Sequence, residues 1–278
     1  MSLREVLRAR VDDDPLARHK TDSHPGVKSR KEAAARAAGD GERLAGLQER
    51  LWAEHARTVL LVLQGIDTSG KDGTIKHVIG LVNPLGCRIT TFKRPTPEEA
   101  RHHFLWRIRQ ALPEPGQIGV FGRSHYEDVI VPRVHGTRPD AEIEKRYAEI
   151  ARFEAGLVGG STTIVKCFLH ISSEEQRERL LARLDDPDKR WKFEEGDIDE
   201  RALWPTYQDT FREMLRRSSP DDAPWYVVPA DRKWYRNWAV GRLLTETLTE
   251  MAPEYPRPPL DIPALKERLL APRLRAVK

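Results

Sequence analysis

The sequence has few cysteines and no long apolar run. Only 2 cysteines, Cys87 and Cys167, occur among its 278 residues, and they do not form the spacing of a metal or redox site. Apolar runs stay well below the roughly 20 residues that a membrane-spanning helix needs. The N-terminus, residues 1–6, also lacks the apolar core of a signal peptide. We therefore expect free thiols in a reducing cytoplasm and no membrane partner.

A large excess of one charge is also absent. Charged residues make up 32% of the sequence, hydrophobic residues 39%, and the net charge is +4. This balance is typical of a soluble globular protein with a substantial core, built as one large or two small domains. It does not demand a nucleic-acid partner, and we expect none. A local basic groove for a polyanion stays open beside the simpler interpretation of a solvated surface.

Strand-like and helix-like segments alternate through most of the chain. The predicted strands are 58–63, 88–92, 118–121, 163–169 and 225–228. The predicted helices are about 74–82, 97–111, 140–158, 173–184, 199–217 and 234–251. Alternation with short apolar strands predicts an α/β fold, a three-layer α/β/α sandwich with a parallel sheet. Ligands of such sheets bind outside the carboxyl ends of the strands.

The expected organisation is one central domain with a segment at each end. Residues 1–27 are polar and are predicted to form an extended arm. Residues 28–251 form the domain, and within it the charged region 183–217 is a helical lid or an ordinary surface connection. Residues 252–278 are a proline-rich tail with a short basic helix.

A long helix is expected at the start of the domain. Residues 28–55 carry an imperfect apolar stripe at helical spacing. Gly39 and Gly41 lie inside this stretch, and we expect them to divide the helix in two.

The segment 65–73 is the most informative motif. It follows the apolar run 59–63 and leads into a helix-like segment, which is the context of a phosphate-binding P-loop. In such a loop, backbone N–H groups at Gly65, Ser69, Gly70 and Gly73 surround phosphate oxygens. The helix N-terminus and Lys71 add positive charge. The simpler alternative is a glycine-rich turn with a surface lysine.

Two acids make this loop unusual. The common pattern has Ser or Thr after the lysine, where the hydroxyl binds Mg²⁺, but Asp72 stands there. Asp67 lies inside the loop, where its carboxylate would repel phosphate unless a cation lay between them. We interpret Asp67 as a metal ligand or as a group that orients an attacking phosphate.

A second constellation follows the third strand, in segment 121–134. Glu127 and Asp128 are candidates to share a metal with Asp67. Arg123 and Arg133 are candidate phosphate binders, because guanidinium groups pair with phosphate oxygens in a fork. A surface turn with balanced charges is the alternative.

His125 and Tyr126 lie between these groups and suggest acid–base chemistry. A phosphate nucleophile needs little proton removal, since phosphoryl transfer depends mainly on positioning and on charge neutralisation. We therefore expect both side chains to be structural.

Four blocks together resemble the polyphosphate kinase 2 family. They are Gly65–Gly73, Arg123–Asp128, Arg190–Phe193 and Ala223–Asp231, and the likeness extends from about Gly26 to Leu248. The resemblance implies a P-loop kinase-like fold related to thymidylate kinases. It implies phosphoryl transfer, dependent on Mg²⁺ or on Mn²⁺ in its place, between inorganic polyphosphate and nucleotides.

The residues of the four blocks are most similar to those of the subgroup that uses both nucleoside mono- and diphosphates. That subgroup would convert AMP to ADP and ADP to ATP reversibly, with adenine as the expected base and guanine as the alternative. The resemblance also implies a homo-oligomer, a dimer or a tetramer.

The resemblance assigns roles to individual residues. It makes Asp67 and Glu127 metal ligands, and Lys71, Lys76 and Arg123 phosphate contacts. Lid residues of the same kind would be Arg183, Lys189, Arg190 and Lys192. Members often have Asp or Asn before the strand-end arginine, where this chain has Gly122.

Two other functions remain open at this point. The first is an ATP-dependent nucleotide or small-molecule kinase of the same fold, against which Asp72 counts. The second is a regulatory protein that binds nucleotides or polyanions without turnover. Two acids placed among phosphate binders count against it.

Overall fold

The architecture is a parallel sheet between two layers of helices, as predicted. The computed structural model describes residues 2–12 and 14–271. Its five strands pair in the order β2-β3-β1-β4-β5, and every pair is parallel. The strands are β1 Thr58–Gln64, β2 Cys87–Thr91, β3 Ile118–Gly122, β4 Thr162–His170 and β5 Trp225–Pro229. The predicted strands are confirmed to within two residues at each end.

Helices cover both faces of the sheet. They are α1 Leu3–Leu7, α2 Arg30–Glu54, α3 Lys71–Ile79, α4 Trp106–Gln110, α5 Glu127–His135, α6 Asp140–Gly159, α7 Ser173–Asp185, α8 Gly196–Ala202, α9 Trp204–Arg217, α10 Lys233–Met251 and α11 Ile262–Leu270. Helices α2 and α3 pack against α10 in one group, whereas α6 and α9 pack against α5 in another. Within the described part of the chain, no helix is both long and apolar enough to span a bilayer.

The centre of the sheet explains the continuous apolar strands. All seven residues of β1 are buried, and β1 lies between β3 and β4. Leu63 near the end of β1 pairs with Gly122 at the end of β3. The loop after β1 and the segment after β3 therefore leave the sheet side by side, at the edge where ligands bind in parallel sheets.

The helix at the start of the domain is continuous, so the prediction that two glycines divide it is wrong. Gly41 is buried, with Leu81 beside it, and Asp40 forms a 2.6 Å ion pair with Arg242 of α10. Packing on α10 therefore outweighs the low helix propensity of the two glycines.

Two other helical predictions differ from the structure. In the region 97–111 only α4 is an α-helix, preceded by a 3₁₀ turn at Glu99–Arg101. The stretch 199–217 is divided into α8 and α9, and Pro205 lies in the first turn of α9. A proline in that position favours a new helix start.

The N-terminal segment differs from an extended arm in its first residues. Helix α1 begins there, with Leu3 and Leu7 buried. The Ala9 N–H donates to Trp225 O at 2.8 Å, next to an antiparallel bridge between Arg8 and Tyr226. The described part of the segment thus packs along β5 and α10. The domain limits at 28 and 251 stay a prediction.

The C-terminal tail carries the short helix that was predicted. Helix α11 follows a proline-rich stretch, and Asp261 caps it by accepting from the Ala264 N–H. Its side chains are largely exposed. The remainder of the tail, 272–278, lies outside the described residues.

Candidate active site

The loop after β1 has the conformation of a phosphate-binding loop. Gly65 and Gly70 adopt φ angles of 147° and 99°, a region that side chains disfavour. A Cβ atom at Gly65 would lie 2.7 Å from Leu169 O, which leaves no space for a side chain. Helix α3 begins at Lys71, so its N-terminus faces the loop. Strand, loop and helix are arranged as the motif predicts.

Lys71 is held inside the loop. Its Nζ donates to Gly65 O at 2.7 Å and to Ile66 O at 3.1 Å, and the side chain is buried. Burial, followed by the nearby charge of Arg123, lowers the pKa of Lys71 to about 8. An incoming phosphate would take the place of these carbonyl groups. Its negative charge would stabilise the protonated form of Lys71 and raise the pKa.

Asp67 lies among cations at the mouth of the loop. Its carboxylate accepts from Arg183 Nη1 at 2.9 Å and lies 3.9 Å from Arg123 Nη2. Burial alone would raise the pKa of Asp67, but the charges of Lys71 and Arg183 outweigh it and lower that pKa below the ordinary value. Asp67 is therefore ionised at neutral pH.

The segment after β3 brings a second carboxylate to the same place. Arg123 has a positive φ of 65°, and its N–H donates to Leu63 O at 3.1 Å. This turn places Glu127 at the start of α5, where its Oε1 accepts from Gln64 Nε2 at 3.2 Å. Asp67 and Glu127 thus come from two neighbouring strand ends, and the charges of both act on Lys71.

The donors around these two acids fit a hard cation such as Mg²⁺. The Oε1 atom of Gln64 is buried and has no hydrogen-bond partner among the described residues. Within the same part of the chain, no group of three or more Asp, Glu, His or Cys side chains is arranged to hold a metal ion by itself. Mg²⁺ typically uses one or two carboxylates and keeps waters and substrate phosphates as its other ligands. Metal binding by Asp67 and Glu127 stays a prediction.

Asp128, the third predicted metal ligand, faces arginines instead. It lies 3.6 Å from Arg107 Nη2 and 3.2 Å from Arg146 Nη1. Burial raises the pKa of Asp128 despite these two cations. Two guanidinium groups thus face its carboxylate, although Oδ2 has no hydrogen-bond partner among the described residues. Metal binding by Asp128 stays a prediction.

An open cleft of about 830 Å³ extends from the loop. All three predicted metal ligands, Asp67, Glu127 and Asp128, line it, together with Lys71 and Arg123. Further cations along its walls are Lys93, Arg94, Arg107, Arg138, Arg146 and Lys192. Many positive charges on one concave surface attract polyanions.

Some predicted phosphate binders lie elsewhere. Arg133 is paired with Asp140 at 2.6 Å and with Glu213 at 2.8 Å, so its guanidinium is tied to α6 and α9. Lys76 is exposed on α3 and does not line the cleft. Neither residue lines the cleft, and phosphate binding by Lys76 and Arg133 stays a prediction.

Two of the four predicted lid residues lie near the site, and the other two have partners elsewhere. Arg183 reaches Asp67, and Lys192 lines the cleft. Lys189 forms an ion pair with Asp186, and the Nε of Arg190 donates to Leu184 O at 2.8 Å. The C-terminal half of the expected lid, α9, buries Phe211, Met214 and Leu215 and belongs to the packed domain.

Comparison with known proteins identifies the family. The sequence model of polyphosphate kinase 2 matches residues 27–256. The chain belongs to the polyphosphate kinase 2 family. The crystal structure of polyphosphate kinase 2 from Arthrobacter aurescens TC1 has a TM-score of 0.93 at 44% identity. The match covers 97% of this chain and 96% of that chain.

Two curated relatives extend the comparison. A Meiothermus ruber protein named AMP/ADP-polyphosphate phosphotransferase is 48% identical over 244 residues, 87% of this chain and 91% of that protein. A Rhodopseudomonas palustris protein named ADP-polyphosphate phosphotransferase is 42% identical over 249 residues, 85% of each chain. The resemblance that the four sequence blocks indicated is confirmed.

Gly122, the last residue of β3, lies in a closely packed place. A Cβ atom at Gly122 would lie 2.8 Å from Thr91 Oγ1 and 2.9 Å from Ile75 Cδ1. A side chain at position 122 would therefore require the side chains of Thr91 and Ile75 to shift. No ligand contact can be assigned to position 122.

Two arginines behind the phosphate loop were not predicted from the sequence. Arg179 Nη1 donates to Thr68 O at 2.8 Å and to Ser69 O at 3.0 Å, and Arg236 Nη1 donates to Ser69 O at 3.3 Å. Arg179 precedes Arg183 by four residues on a predicted helix, so a shared face could have indicated it. Nothing in the sequence around Arg236 indicates its position.

His125 and Tyr126 are structural, as expected. Both are fully buried, and both contact Glu154 Oε1, at 3.0 Å and 2.8 Å. The second oxygen of Glu154 accepts from the buried Lys166. This network lies directly before Glu127 and fixes the turn that presents it.

Proposed function

We propose that this protein transfers a phosphoryl group between inorganic polyphosphate and a nucleoside mono- or diphosphate. The observation that carries the proposal is that Asp67, Glu127 and Lys71 line one cleft, close enough for both carboxylates to act on the lysine's charge, together with several further Lys and Arg side chains. The family and the names of its relatives support polyphosphate and AMP or ADP as the substrates.

The chain's own groups account for most of the reaction. The terminal phosphoryl group of polyphosphate lies in the loop, held by backbone N–H groups, Lys71 and Arg123. A terminal phosphate oxygen of AMP or ADP attacks in line, the new P–O bond forms, and the bond to the shortened polyphosphate breaks. Little proton transfer is needed, since positioning and charge dominate this chemistry.

A divalent cation completes the charge balance. Asp67 and Glu127 would hold Mg²⁺, or Mn²⁺ in its place, and the ion would neutralise phosphate oxygens as charge shifts between them. Without such an ion, two carboxylates beside the phosphate site would oppose binding.

The proposal also includes the nucleotide acceptors, the oligomeric state and the cellular location. Similarity to an AMP/ADP enzyme supports use of both nucleotides, with adenine as the base and guanine as the alternative. We further infer a homo-oligomer. Free Cys87 and Cys167 support a cytoplasmic location.

The test is a product assay with matched variants. Purified protein, Mg²⁺ and long-chain polyphosphate are mixed with AMP or ADP, and nucleotides are separated by chromatography. ADP from AMP and ATP from ADP are expected. Turnover that requires ATP as the donor would instead support an ordinary kinase, and binding without turnover would support a regulatory protein.

Three substitutions locate the chemistry. Asp67→Asn and Lys71→Ala should each reduce turnover by about 10²–10³, as for other groups that stabilise transition-state charge. Asp72→Asn, the same chemical change at an exposed carboxylate of the same loop, is the control and should retain activity. Near-normal turnover of folded Asp67→Asn and Lys71→Ala would refute the assignment.

A further inference from the structure

Arg236 is a buried cation without a carboxylate partner in the described residues. The residue is 4% exposed, and its guanidinium donates to Asn237 Oδ1, at 2.9 Å and 3.1 Å, and to Ser69 O. Neighbouring Glu175 is already paired with Arg179 at 2.6 Å. Burial, followed by the charge of Arg179, lowers the pKa of Arg236 to about 10. The positive charge is therefore kept at an energetic cost.

The Arg236 guanidinium lies directly behind the phosphate loop. A Cβ atom at Gly70 would overlap Arg236 Nη1 and lie 2.6 Å from its Cζ, and one at Gly73 would lie 3.1 Å from its Nη2. Two glycines of the loop thus leave space for this guanidinium. Because these two glycines have no side chain, there is space for Arg236 behind the loop as well as for phosphate inside it.

The hydrogen bonds of Arg236 also fix a peptide plane. Ser69 O accepts from both Arg179 and Arg236, at 3.0 Å and 3.3 Å. The peptide is trans, so the Gly70 N–H points in the opposite direction, away from the two arginines. Backbone N–H groups held in one direction are what a phosphate-binding loop requires.

We propose that Arg236 is a positioning residue for the phosphoryl donor, rigidly orienting the Ser69–Gly70 peptide and adding a buried positive charge behind the loop. The ligand it serves is a phosphate chain, and the inference rests on the proposed function only for the identity of that chain. Arg236 does not touch the phosphate itself.

Binding of inorganic tripolyphosphate to the full chain, measured by calorimetry with Mg²⁺, tests the proposal without requiring turnover. Arg236→Met should weaken binding by about tenfold or more, since a charged hydrogen-bonding group is lost. Arg232→Met, the same change at an exposed arginine one turn earlier, is the control and should bind as the wild type does.

Kinetics separate a positioning effect from general damage. In Arg236→Met the KM for polyphosphate should rise while the KM for ADP stays unchanged, and Arg236→Lys should restore part of the affinity. Wild-type tripolyphosphate affinity in a folded Arg236→Met protein would overturn the proposal. An equal rise of both KM values would overturn it too.

Two further results keep the proposal separate from the function. If Arg236→Met does not fold, Arg236→Gln and Arg236→Lys replace it: weaker binding by the glutamine variant supports the charge, and wild-type affinity in both refutes it. A wild-type protein that binds tripolyphosphate but makes no nucleotide product refutes the proposed function alone.

Discussion

Gly122 is a residue whose importance is steric. Its neighbours Thr91 and Ile75 would lie 2.8 Å and 2.9 Å from an added Cβ atom. We predict that Gly122→Ala lowers the free energy of unfolding by about 1–3 kcal/mol, the usual effect of overpacking. Urea denaturation measures it.

A matched glycine provides the control for Gly122. Gly156 lies inside α6 with nothing within 4 Å of its added Cβ, so Gly156→Ala should be neutral or stabilise by about 0.5–1 kcal/mol. Equal stability of Gly122→Ala and the wild type would show that β2 and α3 can move apart.

For single residues, the sequence predicts a position that depends on neighbouring segments of the chain. It does not predict a position that depends on packing between distant segments. Lys71 and Asp67 are recognisable because the strand, loop and helix that position them are contiguous. Arg236 belongs to a helix that begins more than 160 residues after the loop. Its position depends on packing that no local pattern encodes.

Helix α2 offers a test at the scale of one element. Gly39 is exposed with nothing within 4 Å of an added Cβ, whereas a Cβ at Gly41 would lie 3.2 Å from Leu81. We expect Gly39→Ala to stabilise the protein by about 0.5–1 kcal/mol through helix propensity. Gly41→Ala should gain less or lose stability. Thermal unfolding of the two variants measures the two stability changes. An equal gain in stability at both sites would contradict the packing argument.

Elements were predictable where apolar periodicity and packing agree. The five strands follow directly from short apolar runs buried on both faces. The prediction of one helix over 97–111 is wrong although a helix start is present: Thr96 and Glu99 accept from each other's backbone N–H, at 2.8 Å and 3.2 Å, as in a capping box. His102 then adopts an extended conformation.

The buried ion pair between Lys166 and Glu154 joins β4 to α6, which packs directly against it. Neither side chain is accessible, and Lys166 also donates to Tyr126 and to Ser218 O. We predict that Lys166→Met lowers the free energy of unfolding by about 3–5 kcal/mol, because Glu154 keeps a buried charge without its cation. Chemical denaturation at neutral pH measures the change.

The control for Lys166 is the same substitution on the surface. Lys145 is exposed and lies 3.9 Å from Glu149, so Lys145→Met should change stability by no more than about 0.5 kcal/mol. A small effect of Lys166→Met would mean that His125 and Tyr126 alone satisfy Glu154.

His170 makes the stability of the whole molecule depend on pH. Burial lowers the pKa of His170 from 6.5 to about 4, so the folded protein keeps it neutral where the unfolded chain binds a proton. Its contribution, about 3 kcal/mol, is present above pH 6.5 and is lost as pH falls towards 4.

The measurement for His170 is the free energy of unfolding between pH 7 and 4. His170→Gln should flatten the fall of stability across this range, and His102→Gln, the same change at an exposed site, should not. An unchanged profile in His170→Gln would assign acid sensitivity to other groups.

The docking of the N-terminal segment has a consequence for biosynthesis. The Leu3 N–H donates to Glu246, 243 residues later, and Ala9 bonds to β5. On the ribosome Leu3 is made 243 residues before Glu246, so it cannot find this partner until β1 to β5 have all been synthesised. The contacts of the N-terminal segment therefore cannot guide the early steps of folding during synthesis.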